Sequence, residues 1–182
     1  MTFRLFPLLL AAGALASVGA GGCGPGPSCG HVCGSEFVLT VNPASGMWTP
    51  GTYAFDLQLD GQPAACTFAI AALPSGMLSA SYVNGSCSAT TVGLSFVQNV
   101  ACKTTQSATG PSGAVSTSCA PIAGQFHVEI VIHGSPAGVD LAVSRDGTTL
   151  ASPLDLHPSY TLTPDCAAGC LTANATVSIS GT

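Results

Sequence analysis

The chain has 182 residues, of which 3 are Lys or Arg and 8 are Asp or Glu, for a net charge of −5 at pH 7. So few cations cannot neutralise a row of phosphates or hold an anionic membrane surface by charge, which excludes nucleic-acid binding. A chain of this length suits one domain with a sizeable core.

The first 22 residues have the three parts of a secretory signal peptide. A short amino end carries Arg4, residues 5–18 are largely apolar, and small residues occupy positions 19–22. A retained transmembrane helix is the alternative, but it needs about 20 predominantly apolar residues, and Pro7 and Gly13 interrupt this stretch. We therefore expect residues 1–22 to be removed.

The signal ends in Ala20-Gly21-Gly22-Cys23. This tetrapeptide resembles the lipobox of bacterial lipoproteins, although that family usually has leucine at the position of Ala20. The resemblance implies that Cys23 becomes the acylated first residue, carrying diacylglycerol and palmitate-type chains that anchor it to a membrane. In the lipoproteins that this signal resembles, a residue other than aspartate after the cysteine commonly goes with transport to the outer membrane, so with Gly24 the resemblance implies an outer-membrane location in a Gram-negative source. Ordinary cleavage after Ala20, giving a secreted or periplasmic protein, is the alternative.

A Gly/Pro-rich segment separates Cys23 from the rest of the chain. Residues 23–35 contain Pro25 and Pro27 among glycines, and this composition cannot form a helix or a sheet interior. We expect a short tether that begins at the lipidated Cys23 and leads to one domain, residues 36–182.

From residue 37 onward the polar and apolar residues alternate with a period of two, which is typical of half-buried antiparallel strands. The predicted strands cover residues 37–41, 53–59, 67–71, 78–83, 92–97, 126–133, 139–144, 160–163 and 175–180. No stretch after residue 23 has the periodicity and caps of a helix. The fold class expected is therefore all-β.

Three dipeptides lie between such runs: Asp60-Gly61, Asn84-Gly85 and Asp146-Gly147. Each is suited to a two-residue type I′ hairpin, and the last would place Arg145 opposite Thr148 and Val143 opposite Leu150. Short strands with turns at these intervals predict an antiparallel, immunoglobulin-like β-sandwich stabilised by disulfides, with a closed barrel as the alternative.

The chain has nine cysteines. Because this number is odd, they cannot all form disulfides within one exported chain, and one cysteine must have another role. Acylation of Cys23 leaves an even number that can all pair in an oxidising compartment. These eight are Cys29, Cys33, Cys66, Cys87, Cys102, Cys119, Cys166 and Cys170.

The spacing of the cysteines suggests pairs. Cys29/Cys33 and Cys166/Cys170 share C-x3-C spacing, so each pair is expected to close on itself. Cys66 and Cys87 are candidates for neighbours across strands, and Cys102 with Cys119 would then close a Ser/Thr-rich loop over residues 103–118. A tetrathiolate zinc site built from the two C-x3-C pairs is the alternative, although zinc sites usually have C-x2-C spacing and favour reducing compartments.

One pair of side chains is a weak candidate for a metal or catalytic site. His127 and Glu129 share a strand face with Val131 and His133, about 6–7 Å apart by strand spacing, and could begin a metal site. Neither Asp140 nor His157 is placed beside them by a spacing rule, so a solvent-facing polar stripe is the favoured interpretation. We predict no catalytic residue, no metal site and no cofactor.

Trp48, Tyr82 and Tyr160 are candidate binding aromatics, although a single tryptophan is more often part of the core. The leading hypothesis is a lipid-anchored, non-enzymatic envelope protein that binds an unknown protein or glycan or has a structural role. A soluble carbohydrate-binding module, favoured if Trp48 is exposed, comes second. An exported enzyme or metal protein using His127 and Glu129 comes third.

Overall fold

The computed structural model describes residues 34–71, 83–106, 115–162 and 170–181, and these residues form eleven strands and no helix. The strands are β1 (Glu36–Pro43), β2 (Gly51–Leu59), β3 (Gln62–Ile70), β4 (Val83–Asn84), β5 (Ser86–Cys87), β6 (Val92–Gln106), β7 (Val115–His133), β8 (Val139–Arg145), β9 (Thr148–Leu156), β10 (Thr161–Leu162) and β11 (Leu171–Ile179).

The strands divide into two sheets. One has the order β10-β11-β1-β7-β6-β4 and the other the order β5-β3-β2-β8-β9. Every pairing is antiparallel except that of β1 with β11. The expected disulfide-stabilised, immunoglobulin-like β-sandwich is confirmed, and the described strands do not close into a single barrel.

A continuous apolar core lies between the sheets. Alternate residues of the long strands point inward, as period-two sequences require, and are almost completely buried. Those of the first sheet include Phe37, Leu39, Val41, Phe96, Val128 and Ile130, and those of the second include Tyr53, Phe55, Leu57, Phe68, Leu141 and Val143. Burial of these side chains, each contributing about 1.5–3 kcal/mol, is the main force that holds the sheets together.

Two of the three predicted hairpin turns are confirmed. Asp60 and Gly61 have φ values of 50° and 79°, and Asp146 and Gly147 have 48° and 79°, as a type I′ turn requires. Asp60 also accepts hydrogen bonds from the backbone of Ala137 and Gly138, so its side chain fastens the start of β8 to this turn.

The register predicted beyond the last turn is half right. Arg145 faces Thr148 as expected, but Val143 faces Ala151 instead of Leu150. The register shifts between Val143 and Ser144 because Leu150 is an extra residue that leaves the ladder and packs partly buried against the core.

The third predicted hairpin is wrong. Asn84 ends β4 in one sheet, and Ser86 begins β5 in the other, so the dipeptide carries the chain across the sandwich. Gly85 is needed there for close approach, since a Cβ atom would lie 2.6 Å from Leu94 and 2.9 Å from the Thr67 carbonyl oxygen.

The loop predicted over residues 103–118 is also wrong in its described parts. β6 continues to Gln106 and β7 begins at Val115, so the two strands stay paired far beyond the sandwich, with a register shift between Gln98 and Val100. We call this extension, residues 100–106 and 115–121, the arm.

Candidate functional site

The His127/Glu129 stripe lies on the outer face of β7. Phe126, Val128 and Ile130 of the same strand are buried in the core, which directs His127 and Glu129 to the opposite side, as the sequence predicts. Both side chains are half-buried rather than fully exposed. The reason is their central position, since β7 lies between β1 and β6, and neighbouring side chains shield them.

His127 has a defined partner that sequence spacing did not reveal. Its Nδ1 lies 2.5 Å from Oδ1 of Asn99, across the pair of strands at the register shift that begins the arm. Burial lowers the pKa of His127 below its ordinary value, and the charge of Glu129 opposes this effect. The bulge therefore aims the Asn99 side chain at the imidazole and fixes the ring.

The described residues bring no third ligand to this pair. Asp140 is exposed on β8 in the other sheet, and His157 lies 3.3 Å from Asp155 at an exposed position. Among the residues that the structure describes, no group of three or more His, Cys, Asp or Glu side chains is arranged to hold a metal ion. His127 and Glu129 are available on this face as hydrogen-bonding side chains.

Trp48 is a core residue, as the sequence analysis favoured, and the alternative of an exposed binding platform is wrong. Its side chain is 1% exposed, and its Nε1 donates a hydrogen bond of 3.0 Å to the carbonyl oxygen of Phe126. The ring makes edge contacts with Tyr53, Phe68 and Phe96 at centroid distances of 5.0–6.1 Å. An aromatic in the loop after β1 closes one end of the sandwich instead of facing solvent.

The other two candidate binding aromatics are Tyr160 and Tyr82. Tyr160 is half-buried, and its hydroxyl donates a 3.0 Å hydrogen bond to the carbonyl oxygen of Pro136. Burial, with a smaller contribution from Asp60, raises the pKa of the Tyr160 hydroxyl. Tyr82 lies outside the described residues.

Two disulfides join directly opposed residues of neighbouring strands. Cys66 of β3 is bonded to Cys87 of β5, and Cys102 of β6 is bonded to Cys119 of β7, with Cα–Cα distances of 4.0 and 3.9 Å. Both pairings agree with those that the sequence suggested, but Cys102–Cys119 joins two paired strands and does not close the predicted loop.

The remaining cysteines are only partly placed. Cys170 is buried immediately before β11 and carries a free thiol. Four cysteines lie outside the described residues: Cys23, Cys29, Cys33 and Cys166. The predicted Cys29–Cys33 and Cys166–Cys170 bridges therefore also lie outside the described residues, because each needs at least one of these cysteines.

The arm is the feature that sequence analysis missed. Side chains of residues 100–105 and 116–120 are exposed on both faces, and Val100 at its base is 57% exposed. The Cys102–Cys119 bridge joins the two strands two pairs beyond Val100, and the Thr105 and Ser116 hydroxyl groups further along hydrogen-bond across the strands at 2.8 Å. The sequence did contain a signal for this ribbon. A Cys102–Cys119 pair that encloses a segment rich in Thr and Ser is compatible with two paired strands, in which the cysteines lie opposite each other, as well as with a loop.

The base of the arm contains an unusual buried amide. Gln98 is 5% exposed, and its Nε2 donates a hydrogen bond of 3.1 Å to the carbonyl oxygen of Ile122. Its Oε1 is buried without a hydrogen-bond partner. Gln98 is paired with Phe126, the residue whose carbonyl oxygen receives the Trp48 hydrogen bond, so the arm joins the sandwich directly above its aromatic cluster.

Comparison with protein-family models, curated proteins and solved structures finds no match to this chain. Within residues 34–71, 83–106, 115–162 and 170–181, no helix is long and apolar enough to cross a membrane.

Proposed function

We propose that this chain is a lipid-anchored, non-enzymatic protein of the cell envelope whose β-sandwich serves a structural or partner-binding role. Cys23 carries the acyl chains, residues 24–35 form the tether, and the anchoring membrane is the outer membrane. The observation that carries the proposal is Cys23 itself, an odd cysteine directly after Ala20-Gly21-Gly22 at the end of a signal-like segment.

The disulfides support the export that this proposal requires. All four cysteines within the paired strands are oxidised as Cys66–Cys87 and Cys102–Cys119. Such bridges persist in oxidising compartments outside the cytosol and are rare within it. The first strand begins at Glu36, 13 positions after Cys23, so the tether keeps the sandwich close to the membrane surface.

The arm is the surface that we assign to partner binding. Its described side chains are small, hydroxyl-bearing or apolar, and Lys103 is the one charged residue among them. A two-stranded ribbon exposes backbone donors and acceptors along both edges, which suits recognition of an extended protein segment or a glycan. The burial of Trp48 removes the observation that favoured a soluble carbohydrate-binding module.

Replacement of the anchoring thiol tests the proposal. A Cys23→Ser variant should accumulate unprocessed or appear in the soluble fraction, whereas the native protein sediments with membranes and loses its mass increment when its acyl esters are hydrolysed. Cys29→Ser, six positions further along, is the matched control and should leave sedimentation and the intact mass of the lipid unchanged. Equal sedimentation and equal processing of the Cys23→Ser variant would overturn the proposal.

A further inference from the structure

The two disulfides of the described residues differ in how far solvent reaches them. Cys66 is completely buried in the core, and its partner Cys87 is half-buried. Cys102 and Cys119 are both exposed, on an arm whose described side chains take no part in the core cluster. Thiol–disulfide exchange begins when a thiolate reaches a disulfide sulfur, so the arm bridge is far more accessible to a reductant than the core bridge.

The charges around the arm bridge also suit an approaching thiolate. The sequence has no Asp or Glu in residues 100–106 or 115–121, and Lys103 places a positive charge next to Cys102. A negatively charged nucleophile therefore meets no repulsion from the arm itself. A neighbouring cation also favours the thiolate that leaves when the bridge is broken.

Little besides the bridge holds the two strands of the arm together. Beyond Cys102–Cys119 the described strands are joined by their backbone ladder and by hydroxyl contacts such as Thr105 with Ser116 at 2.8 Å. A two-stranded ribbon without a packed face is only marginally stable in water. Loss of the covalent link should therefore let the arm open while the sandwich stays folded.

The junction with the sandwich does not compensate for this weakness. The ladder between β6 and β7 shifts register between Gln98 and Val100. Gln98 is 5% exposed, and its Oε1 has no hydrogen-bond partner among the described residues. A bulge next to an unsatisfied buried amide is a place where the ladder can part at low cost.

From these observations we propose that Cys102–Cys119 is a redox switch. A dithiol, either a small molecule or a protein, reduces this bridge in the folded protein and the arm opens. The Cys66–Cys87 bridge and the core remain intact. Opening removes the surface that we assign to partner binding, and only this last consequence rests on the proposed function.

The step is a two-electron exchange. One thiolate of the dithiol attacks Sγ of Cys102 or Cys119, which forms a mixed disulfide and releases the other cysteine as a thiolate. The second thiol of the dithiol then displaces the protein sulfur and closes a disulfide of its own. Two electrons and two protons pass to the protein, which gains two thiols, and a disulfide oxidant of the compartment reverses the step.

Trypsin separates the two cysteines of the arm bridge. After Arg4 the only cleavage sites are Lys103 and Arg145, and Lys103 lies between Cys102 and Cys119. Peptide 104–145 contains Cys119 as its one cysteine, so the arm bridge joins it to the preceding peptide. The core bridge lies wholly within that preceding peptide and does not affect the release of peptide 104–145.

The experiment treats the undenatured full chain, after its free thiols are blocked with N-ethylmaleimide, with dithiothreitol. Samples taken over time are quenched, labelled with iodoacetamide, digested with trypsin and weighed by mass spectrometry. Peptide 104–145 should be released with label on Cys119 at least about tenfold faster than Cys66 and Cys87 acquire label. Equal rates for the two bridges, or faster labelling of the core bridge, would overturn the proposal.

Amide hydrogen exchange on the same samples tests the opening. Selective reduction should speed exchange in residues 101–105 and 116–120 and leave residues 37–41 and 126–132 protected. Unchanged exchange in the arm would refute the switch even if its bridge is reduced first. Loss of protection in both regions would refute it as well, because the whole domain would then depend on the bridge.

Cys102→Ser/Cys119→Ser is the matched control. Its arm should exchange rapidly from the start and should not respond to dithiothreitol. A response in this variant would mean that another disulfide governs the arm, against the proposal. Neither measurement involves Cys23, so failure of the switch is distinguished from failure of the lipid anchor, which the sedimentation test reports.

Discussion

Trp48 joins the two sheets through a single side chain. It lies on the connection from β1 to β2, donates a hydrogen bond to Phe126 of β7 and contacts the ring of Phe68 on β3. The loss of this side chain should therefore weaken the sandwich as a unit.

We expect Trp48→Phe to lower the free energy of unfolding by about 2 kcal/mol. The smaller ring leaves a void, and the Phe126 carbonyl oxygen loses the hydrogen bond that it accepts from Trp48. Urea denaturation followed by circular dichroism measures this change. Met47→Ala, at a neighbouring side chain that is 60% exposed, is the control and should change stability by no more than about 0.5 kcal/mol. Equal effects of the two substitutions would show that Trp48 is not a structural link.

His127 gives the protein a pH-dependent stability. Burial lowers its pKa in the folded state, so the unfolded chain, with an ordinary value of 6.5, takes up a proton more readily. The free energy of unfolding should therefore fall as the pH is lowered through 6.5 toward the folded pKa, and the contribution is fully present above pH 6.5.

Replacing the imidazole by an amide isolates this contribution. His127→Gln retains a group that can hydrogen-bond Asn99 but does not titrate. The difference in unfolding free energy between wild type and variant should be constant above about pH 7.5 and should shift in favour of the variant toward pH 5. Denaturation curves collected across this range provide the measurement, and parallel pH profiles would contradict the assignment.

At the scale of elements, the two disulfides close loops of similar length but lie in different surroundings. Cys66–Cys87 spans 21 positions, and Cys66 is completely buried in the core. Cys102–Cys119 spans 17 positions within the arm, where both residues are exposed. The entropy removed from the unfolded chain is nearly the same for both, so any difference in their effects comes from packing and from local opening of the arm.

We expect Cys66→Ala/Cys87→Ala to lower the free energy of global unfolding by about 3 kcal/mol or more, since a buried contact is lost together with the bridge. The matched variant Cys102→Ala/Cys119→Ala should have a smaller global effect. It should instead speed amide hydrogen exchange in residues 101–105 and 116–120, because the arm has no core contacts to hold it. Equal global destabilisation with unchanged exchange in the arm would contradict this view.

Local sequence patterns were sufficient to predict two of the turns between strands. The Asp-Gly dipeptides at 60–61 and 146–147 form their turns because the positive φ angles are a property of the dipeptide and its two adjoining strands. Asn84-Gly85 has the same local chemistry but connects two sheets, since β4 pairs with β6 and β5 pairs with β3. Which strand a residue pairs with is a non-local choice, and a two-residue pattern does not contain it.

The molecule as a whole has its first and last long strands side by side. Among the described strands, β1 and β11 are the one parallel pair, so the proposed tether enters beside Thr172 at the start of β11, and Ile179 lies at the opposite end of the pair. With Lys103 and Arg145 as the only basic residues of the described chain, the surface relies on Ser, Thr and Asn for its solubility. The arm extends from this body as a two-stranded ribbon, and its described side chains at residues 100–105 and 116–120 are exposed.

The sequence by itself determined the fold class, the direction in which each strand side chain points and two of the turns, because these depend on residues that are close along the chain. It placed Phe37, Leu39 and Val41 on one face of β1, and His127 with Glu129 on the outer face of β7. The candidate site was predicted to this extent, as a polar face with a histidine and a carboxylate.

Only the tertiary structure decided the burial of Trp48, the Asn99–His127 contact, the arm and the β1–β11 pairing. Each of these joins residues that are distant in sequence, and the packing free energy that selects them is shared among many side chains. The period-two alternation of a strand sequence indicates which face of the strand a residue occupies. It does not indicate which other strand will cover that face.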